Sequence, residues 1–135
     1  MSSYAIRGGT VLAYTGSTPH LHIVCSDPAF YPEIGGIGVL VVNISSVKED
    51  LAYDCTCVLH AGEHPFVVHD SYVVYAKAVV WKLESIEKRI ESGEIVPKSN
   101  WAEPHISNVI SGFFKSPFVA RRILKFCQQH CVPRP

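Results

Sequence analysis

The sequence contains no segment that would place the chain across a membrane. Its longest strongly apolar run, Ile37 to Val42, is far shorter than the roughly 20 residues that a membrane-spanning helix needs. Its N-terminal segment has one basic residue, Arg7, and lacks the long apolar core of a secretory signal. We therefore expect a cytoplasmic protein with no membrane partner.

The chain also lacks net charge, because its 12 basic residues balance 12 acidic ones. A net charge of zero removes the simplest indication of a nucleic-acid-binding domain, which is a strongly basic chain. The charges are nevertheless unevenly distributed. Residues 1–70 contain only two basic residues, Arg7 and Lys48, whereas no acidic residue follows Glu103. The sequence therefore predicts an acidic first half and a cationic C-terminal surface.

Neither disulfides nor a structural metal is needed to fold a chain of this length, which can bury about two-thirds of its surface. The five cysteines are an odd count, which fits free thiols in a reducing compartment. A zinc site built from Cys55, Cys57, Cys127, His130 and Cys131 is conceivable, although Cys55 and Cys57 are closer in sequence than paired zinc ligands usually are. We predict no metal and no cofactor, and keep a zinc-binding protein as one alternative.

Motifs of several enzyme classes are missing from the sequence. It has no glycine loop that would hold phosphates, no nucleophile elbow and no metalloprotease helix motif. It also has no internal repeat and no long Pro/Gly/Ser-rich linker. We therefore predict a single domain over residues 1–135.

The first 80 residues are typical of a β structure, because short β-branched runs alternate with turn residues. The predicted strands are Thr10–Tyr14, His20–Cys25, Gly38–Ile44, Cys55–Leu59, Phe66–His69 and Ser71–Val80. Six short strands favour a small barrel or a strongly curved sheet.

Residues 81–135 are predicted to be helical. Apolar residues at helical spacing and a stop at Gly93 predict a helix over Lys82–Glu91, and Pro104 opens a second that extends to Phe113. Ser116 and Pro117 are typical of an N-cap and a first helical position, which predicts a third helix to about Gln129. Strands followed by helices define an α+β fold.

Histidine is abundant, with seven residues in the chain. Five of them fall in the predicted β half: His20, His22, His60, His64 and His69. Because alternate residues of a strand point to the same face, His20 and His22 could bind a metal or act as base and acid around a phosphate. The alternative is that both are solvent-facing residues of a half-buried strand.

The segment from Gly62 to Phe66 puts the carboxylate of Glu63 beside the imidazole of His64. Loops of this kind often carry function, but the same residues also suit a simple turn, and both interpretations stay open. His69, Asp70 and Ser71 have the residue types of a protease triad. Adjacent strand residues point to opposite faces, which excludes a triad here.

Two apolar segments resemble the core of a known family. The segment from His20 to Pro28 (HLHIVCSDP), followed after a glycine-bearing loop by Val39 to Ser46 (VLVVNISS), is similar to the core of the MazF/PemK-like toxins. Members of that family are small SH3-like barrels with appended helices. They are usually dimers and cleave single-stranded RNA as the toxin of a toxin–antitoxin pair.

The resemblance implies an SH3-like barrel of about six strands followed by two or three helices, and a metal-independent endoribonuclease. It places His20 where the family has its catalytic arginine and Ser45 where the family has a threonine. Unlike arginine, histidine can release its proton near neutral pH, so His20 could act as an acid or base. The expected partners are single-stranded RNA, an antitoxin protein and a second copy of the chain.

This hypothesis gives a full set of candidate site residues. The candidate catalytic residues are His20, Ser45, His22, His64 and His69, and the candidate RNA-backbone contacts are Arg121, Arg122 and Lys125. A third hypothesis, besides the nuclease and the zinc-binding protein, is a catalytically inactive barrel that binds a protein partner. Its contact residues would be the aromatic residues Tyr72, Tyr75, Trp81 and Trp101.

Overall fold

The computed structural model describes residues 5–14 and 18–131, which form one antiparallel sheet and three helices. The strands are β1 (Thr10–Tyr14), β2 (Pro19–Val24), β3 (Ala29–Tyr31), β4 (Gly36–Ser46), β5 (Val58–Leu59), β6 (Ser71–Val73), β7 (Val79–Lys82) and β8 (Ile95–Lys98). The helices are α1 (Leu83–Ser92), α2 (Glu103–Gly112) and α3 (Arg121–His130).

The 11-residue strand β4 organises the sheet, because it pairs with four other strands. Along one edge it pairs first with β3 and then with β2, and along the other edge first with β7 and then with β6. The main path through the sheet runs β5-β6-β4-β2-β1-β8. In the described residues no pairing joins β8 to β5 or β7, so the strand pairings form an open path.

The sequence of β4 explains its central position. Its residues Val39 to Val42 are apolar, and each is fully buried. Leu40 and Val42 belong to the larger core cluster, whereas Val39 and Val41 belong to the smaller one. A strand that is covered on both faces must be apolar at every position rather than at alternate ones, and this run has that pattern.

The helices cover the two faces of the sheet. Ile106 and Val109 of α2 and Ile123 and Phe126 of α3 pack in the larger cluster. Ile86 of α1 packs in the smaller one. These buried apolar side chains anchor each helix to the sheet, since apolar burial is the main favourable contribution to packing.

Two of the three predicted helices have nearly the predicted bounds. Helix α1 ends at Gly93, whose φ of +85° suits a residue without a side chain. The predicted start of the third helix at Ser116 is wrong, since α3 begins at Arg121. The Ser116 hydroxyl accepts the Phe118 N–H at 3.1 Å, as an N-cap does, and donates to Asp54 Oδ2 at 2.7 Å, but no helix follows before Arg121. None of the helices in the described ranges is long and apolar enough to cross a membrane.

The α+β class is confirmed, but the predicted number of strands is wrong because the described residues form eight. Residues 66–69 form turns and coil instead of the predicted strand, and the predicted strand 71–80 is split by a 3₁₀ turn at Tyr75–Lys77. Strand β3 and strand β8 were not predicted. Strand β8 adds sheet structure to the half that was predicted to be helical, where it pairs with β1.

Candidate functional site

A cavity opens where two paired strands diverge. The pairing between β2 and β4 ends with His22 opposite Asn43. Continued by two residues, this register would place His20 opposite Ser45, but the pairing stops at His22 and Asn43, while Ser45 pairs on the other edge of β4 with Tyr72 of β6. The separated ends of β2 and β4 form two walls of a cavity of about 470 Å³.

The cavity is lined by both polar and apolar side chains. Its polar and charged lining residues are Thr18, His20, Ser45, Ser46, Lys48 and Ser71, and its apolar ones are Leu12, Pro19, Leu21, Ile44 and Phe66. The volume falls in the range typical of small-molecule sites, and a few polar groups among apolar ones are common in such sites. The two residues that the resemblance aligns with functional positions, His20 and Ser45, therefore share one cavity.

Lys48 is a cavity residue that the sequence analysis did not propose. It is the single charged side chain among the described residues that line the cavity. The other basic residue of the first half, Arg7, is paired with Glu103, since both of its terminal nitrogens lie 2.7 Å from the two carboxylate oxygens. The sequence feature that could have identified Lys48 is its position as a lone lysine two residues beyond the Val39–Ser46 segment.

His22 does not line the cavity, although alternation predicted that its ring would share a face with His20. The side chain is 4% exposed, and its ring lies 4.9 Å from the ring of Trp81. Nδ1 is 2.9 Å from the His20 carbonyl oxygen, so the ring donates a hydrogen bond to the backbone of its own strand. Burial lowers the pKa of His22, which favours the neutral ring. His22 is therefore part of the packing of β2.

His64 is also a core residue, 2% exposed. Its Nε2 lies 2.6 Å from the Ser99 carbonyl oxygen, and its Nδ1 accepts the Phe66 N–H at 3.2 Å. The ring centroid lies 4.4 Å from that of Trp101. With Nε2 as donor and Nδ1 as acceptor, the neutral ring satisfies both neighbours and has no nitrogen left for a substrate. The structure therefore brings neither His64 nor His22 to the cavity that His20 lines.

The other candidate residues lie outside the cavity lining. His69 is exposed, and its carbonyl oxygen accepts the hydroxyl of Ser71 at 2.9 Å. Arg121, Arg122 and Lys125 are exposed residues of α3, and Arg122 Nε lies 3.9 Å from a carboxylate oxygen of Glu33. These three cations form a surface apart from the cavity lining.

All five cysteines are free thiols. Cys57, Cys127 and Cys131 are buried, whereas Cys55 is exposed. A hydrogen bond from Cys131 and burial raise the pKa of Cys127, which keeps this thiol protonated. In residues 5–14 and 18–131, no group of three or more His, Cys, Asp or Glu side chains is arranged to hold a metal ion. The zinc alternative thus gains no support from the arrangement of its five proposed ligands.

The aromatic residues of the protein-binding alternative do not form one surface. Tyr75 is 1% exposed and Trp101 is 6% exposed, so both belong to the core. The Tyr75 hydroxyl donates to the Val109 carbonyl oxygen at 2.6 Å. Tyr72 and Trp81 are half-buried. Two of the four proposed contact residues are therefore unavailable to a partner.

Comparisons with known proteins add no relative to this description. The chain matches no protein-family model, and no curated protein and no solved structure matches it at the threshold of significance. The similarity of two strand segments to the MazF/PemK-like toxins therefore rests on the residues themselves.

Proposed function

We propose that this protein is a metal-independent endoribonuclease that cleaves single-stranded RNA at the cavity between β2 and β4. The observation that carries the proposal is that His20, Ser45 and Lys48 line one cavity of about 470 Å³. None of the described lining residues is an aspartate or glutamate, so a phosphodiester would meet no carboxylate there. RNA transesterification needs a base for the 2′-hydroxyl, an acid for the departing 5′-oxygen and a positive group near the phosphorane, and an imidazole and an ammonium can fill these roles.

His20 would act as the general base and take the proton of the ribose 2′-hydroxyl. The 2′-oxygen then forms a bond to phosphorus, and the bond between phosphorus and the 5′-oxygen breaks. Lys48 stabilises the negative charge on the phosphorane and gives a proton to the departing 5′-oxygen. Ser45 donates a hydrogen bond to a phosphate oxygen. The products are a 2′,3′-cyclic phosphate and a 5′-hydroxyl, and solvent restores both protonation states.

The test is cleavage of a fluorescent single-stranded RNA by the purified protein in EDTA at pH 7. We expect cyclic-phosphate products, and a loss of about 100-fold or more in rate for His20→Ala, which is typical of the removal of a general base. His60→Ala is the matched control, because His60 is an exposed histidine of the same half that forms an ion-pair contact with Asp70 instead of lining the cavity.

Two outcomes would contradict the proposal. One is wild-type cleavage by His20→Ala, which would assign the activity to another site or to a contaminant. The other is cleavage of an oligonucleotide with a 2′-deoxyribose at every position, because the proposed reaction needs the 2′-hydroxyl.

The proposal also includes the role of the activity in the cell. A ribonuclease of toxin type acts on cytoplasmic RNA as a homodimer and is neutralised by an antitoxin protein. Growth arrest when the chain is expressed, relieved by His20→Ala, is the expected result in cells. Growth arrest that is unchanged in His20→Ala would separate any toxicity from the cavity.

A further inference from the structure

The backbone around Phe66, an aromatic residue of the cavity lining, is held by more hydrogen bonds than the exposure of the ring suggests. Phe66 lines the cavity together with His20 and Ser45, and it is 47% exposed. A half-exposed phenylalanine has fewer packing contacts to hold it in place than a core residue has. Phe66 nevertheless belongs to a loop with a dense set of hydrogen bonds.

The loop is closed on itself by backbone hydrogen bonds. The Gly62 N–H donates to the Val67 carbonyl oxygen, and the Val67 N–H donates to that of His64, both at 2.9 Å. Gly62 has a φ of +93°, a conformation that favours glycine. Together these contacts fix the backbone on both sides of Phe66.

His64 fixes the backbone of Phe66 itself. Its buried ring accepts the Phe66 N–H and reaches across to the Ser99 carbonyl oxygen, just beyond β8. A buried side chain with both nitrogens bonded has little freedom to move. The ring of Phe66 is thereby presented at the cavity from a loop anchored to another part of the chain.

A cation lies over one face of the Phe66 ring. The ammonium of Lys98 is 4.5 Å from the ring centroid, which is a cation–π geometry. The site therefore combines an aromatic face with two ammonium groups, those of Lys98 and of the cavity residue Lys48. Proteins that bind single-stranded nucleic acids use this combination, in which bases stack on aromatic rings and cations track the phosphates.

We infer that Phe66 is a stacking platform for a nucleobase next to the phosphate held at His20. The inference rests on the proposed function and specifies how the substrate is bound. The base stacks on the Phe66 ring, and the Lys98 ammonium, which already lies beside that ring, supplies a positive charge near the RNA backbone. Stacking contacts the flat face that all bases share, so the platform favours unpaired RNA over duplex RNA without selecting one base.

The test measures binding separately from cleavage. The probe is a fluorescent 2′-O-methyl oligoribonucleotide, which cannot be cleaved because its 2′-oxygen is blocked, and the readout is the Kd from anisotropy. We expect Phe66→Ala and Phe66→Leu to raise the Kd about 5- to 150-fold, the range for the loss of one stacked base. Phe66→Trp should bind as tightly as the wild type or more tightly.

Two controls isolate stacking from folding and from charge. Phe30→Ala should leave the Kd unchanged, because Phe30 is 58% exposed on β3 and does not line the cavity. An abasic oligonucleotide of the same length should bind the wild type and Phe66→Ala equally, since it has no base to stack. Leucine at position 66 keeps an apolar side chain, so an effect in Phe66→Leu reports on the aromatic face.

The outcomes separate this inference from the proposed function. If Phe66→Ala and Phe66→Leu bind the probe as the wild type does, the platform is refuted, even where His20→Ala still abolishes cleavage. If binding depends on Phe66 but the wild type cleaves no RNA, the nuclease proposal fails and the platform stands. If the wild type binds the 2′-O-methyl probe no more tightly than the abasic one, the platform is overturned whatever the result of the cleavage assay.

Discussion

Replacement of His64 should weaken the fold and substrate binding while leaving the chemical step largely intact. In His64→Ala, the Ser99 carbonyl loses its donor, which costs about 1–3 kcal/mol when no water replaces it. Ser99 is an exposed residue, so the low end of that range applies. Loss of the ring contact with Trp101 adds about 0.5–1.5 kcal/mol, and the space left by the ring adds more. We expect a loss of about 2–4 kcal/mol in total.

A domain of ordinary stability, about 5–15 kcal/mol, stays folded after such a loss at 25 °C. The assay is urea unfolding followed by far-UV circular dichroism, because Trp101 fluorescence would itself respond to the change. His64→Phe separates the contributions, since it keeps a ring beside Trp101 and removes both hydrogen bonds, and its loss should be smaller than that of His64→Ala.

Steady-state kinetics of the folded variants decide between a structural and a catalytic role for His64. KM should rise, because the loop that carries Phe66 loses an anchor, whereas kcat should change far less than in His20→Ala. A His64→Ala protein with the wild-type free energy of unfolding and a kcat as low as that of His20→Ala would refute the reasoning. Such a result would place the imidazole in the reaction.

Two further predictions concern the core. Burial lowers the pKa of His22 below its usual 6.5, so the unfolded chain binds a proton that the native state excludes. The free energy of unfolding should be at its full value above about pH 6.5 and should fall as the pH decreases through that value. His22→Gln should flatten this part of a plot of urea midpoint against pH, and an unchanged slope would contradict the assignment. In Gly112→Ala, the new Cβ would lie 1.8 Å from the hydroxyl oxygen of the buried Tyr75, so we expect a loss of about 3 kcal/mol or more in thermal or urea unfolding. Tyr75→Phe in the same chain should recover part of that loss, and purely additive losses would show that the clash is relieved in another way.

The elements that could be predicted from sequence are those whose pattern is local. Strand β1 has the predicted bounds, and α1 ends at the predicted glycine, because alternation and capping depend on neighbouring residues. Strand β8 depends on a distant partner. It contains Pro97, which argues against a central strand, but within the described residues β8 pairs only with β1, and an edge strand can accept a proline.

The predicted start of α3 at Ser116 is also wrong. Ser116 followed by Pro117 is a good local signal for a helix N-terminus. The Ser116 hydroxyl accepts the Phe118 N–H as an N-cap does, and it also donates to Asp54, 62 residues earlier in the chain. Pro117 and Phe118 nevertheless form a turn, and the helix begins only at Arg121.

The choice of His20 and His22 depended on alternation, and alternation alone cannot distinguish a cavity from a core. His20 and His22 do follow each other on one strand, but they lie on either side of the point where β4 leaves β2. Before that point a side chain is enclosed by the sheet and by Trp81, and beyond it a side chain borders open space. Locating that point requires knowing that the pairing of β2 with β4 stops at His22 and Asn43, two residues that no short pattern connects.

The same divergence explains why a single imidazole is enough for the proposed site. Where β2 and β4 separate, each strand presents the polar residues at its own end: His20 from β2, Ser45 and Ser46 from β4, and Lys48 from the residues that follow. A base, a hydroxyl donor and a cation thus come from two strand ends without a second histidine. The abundance of histidine in the sequence therefore overstates the acid–base capacity of the site, because the rings of His22 and His64 are already used in holding the strand and the loop that shape it.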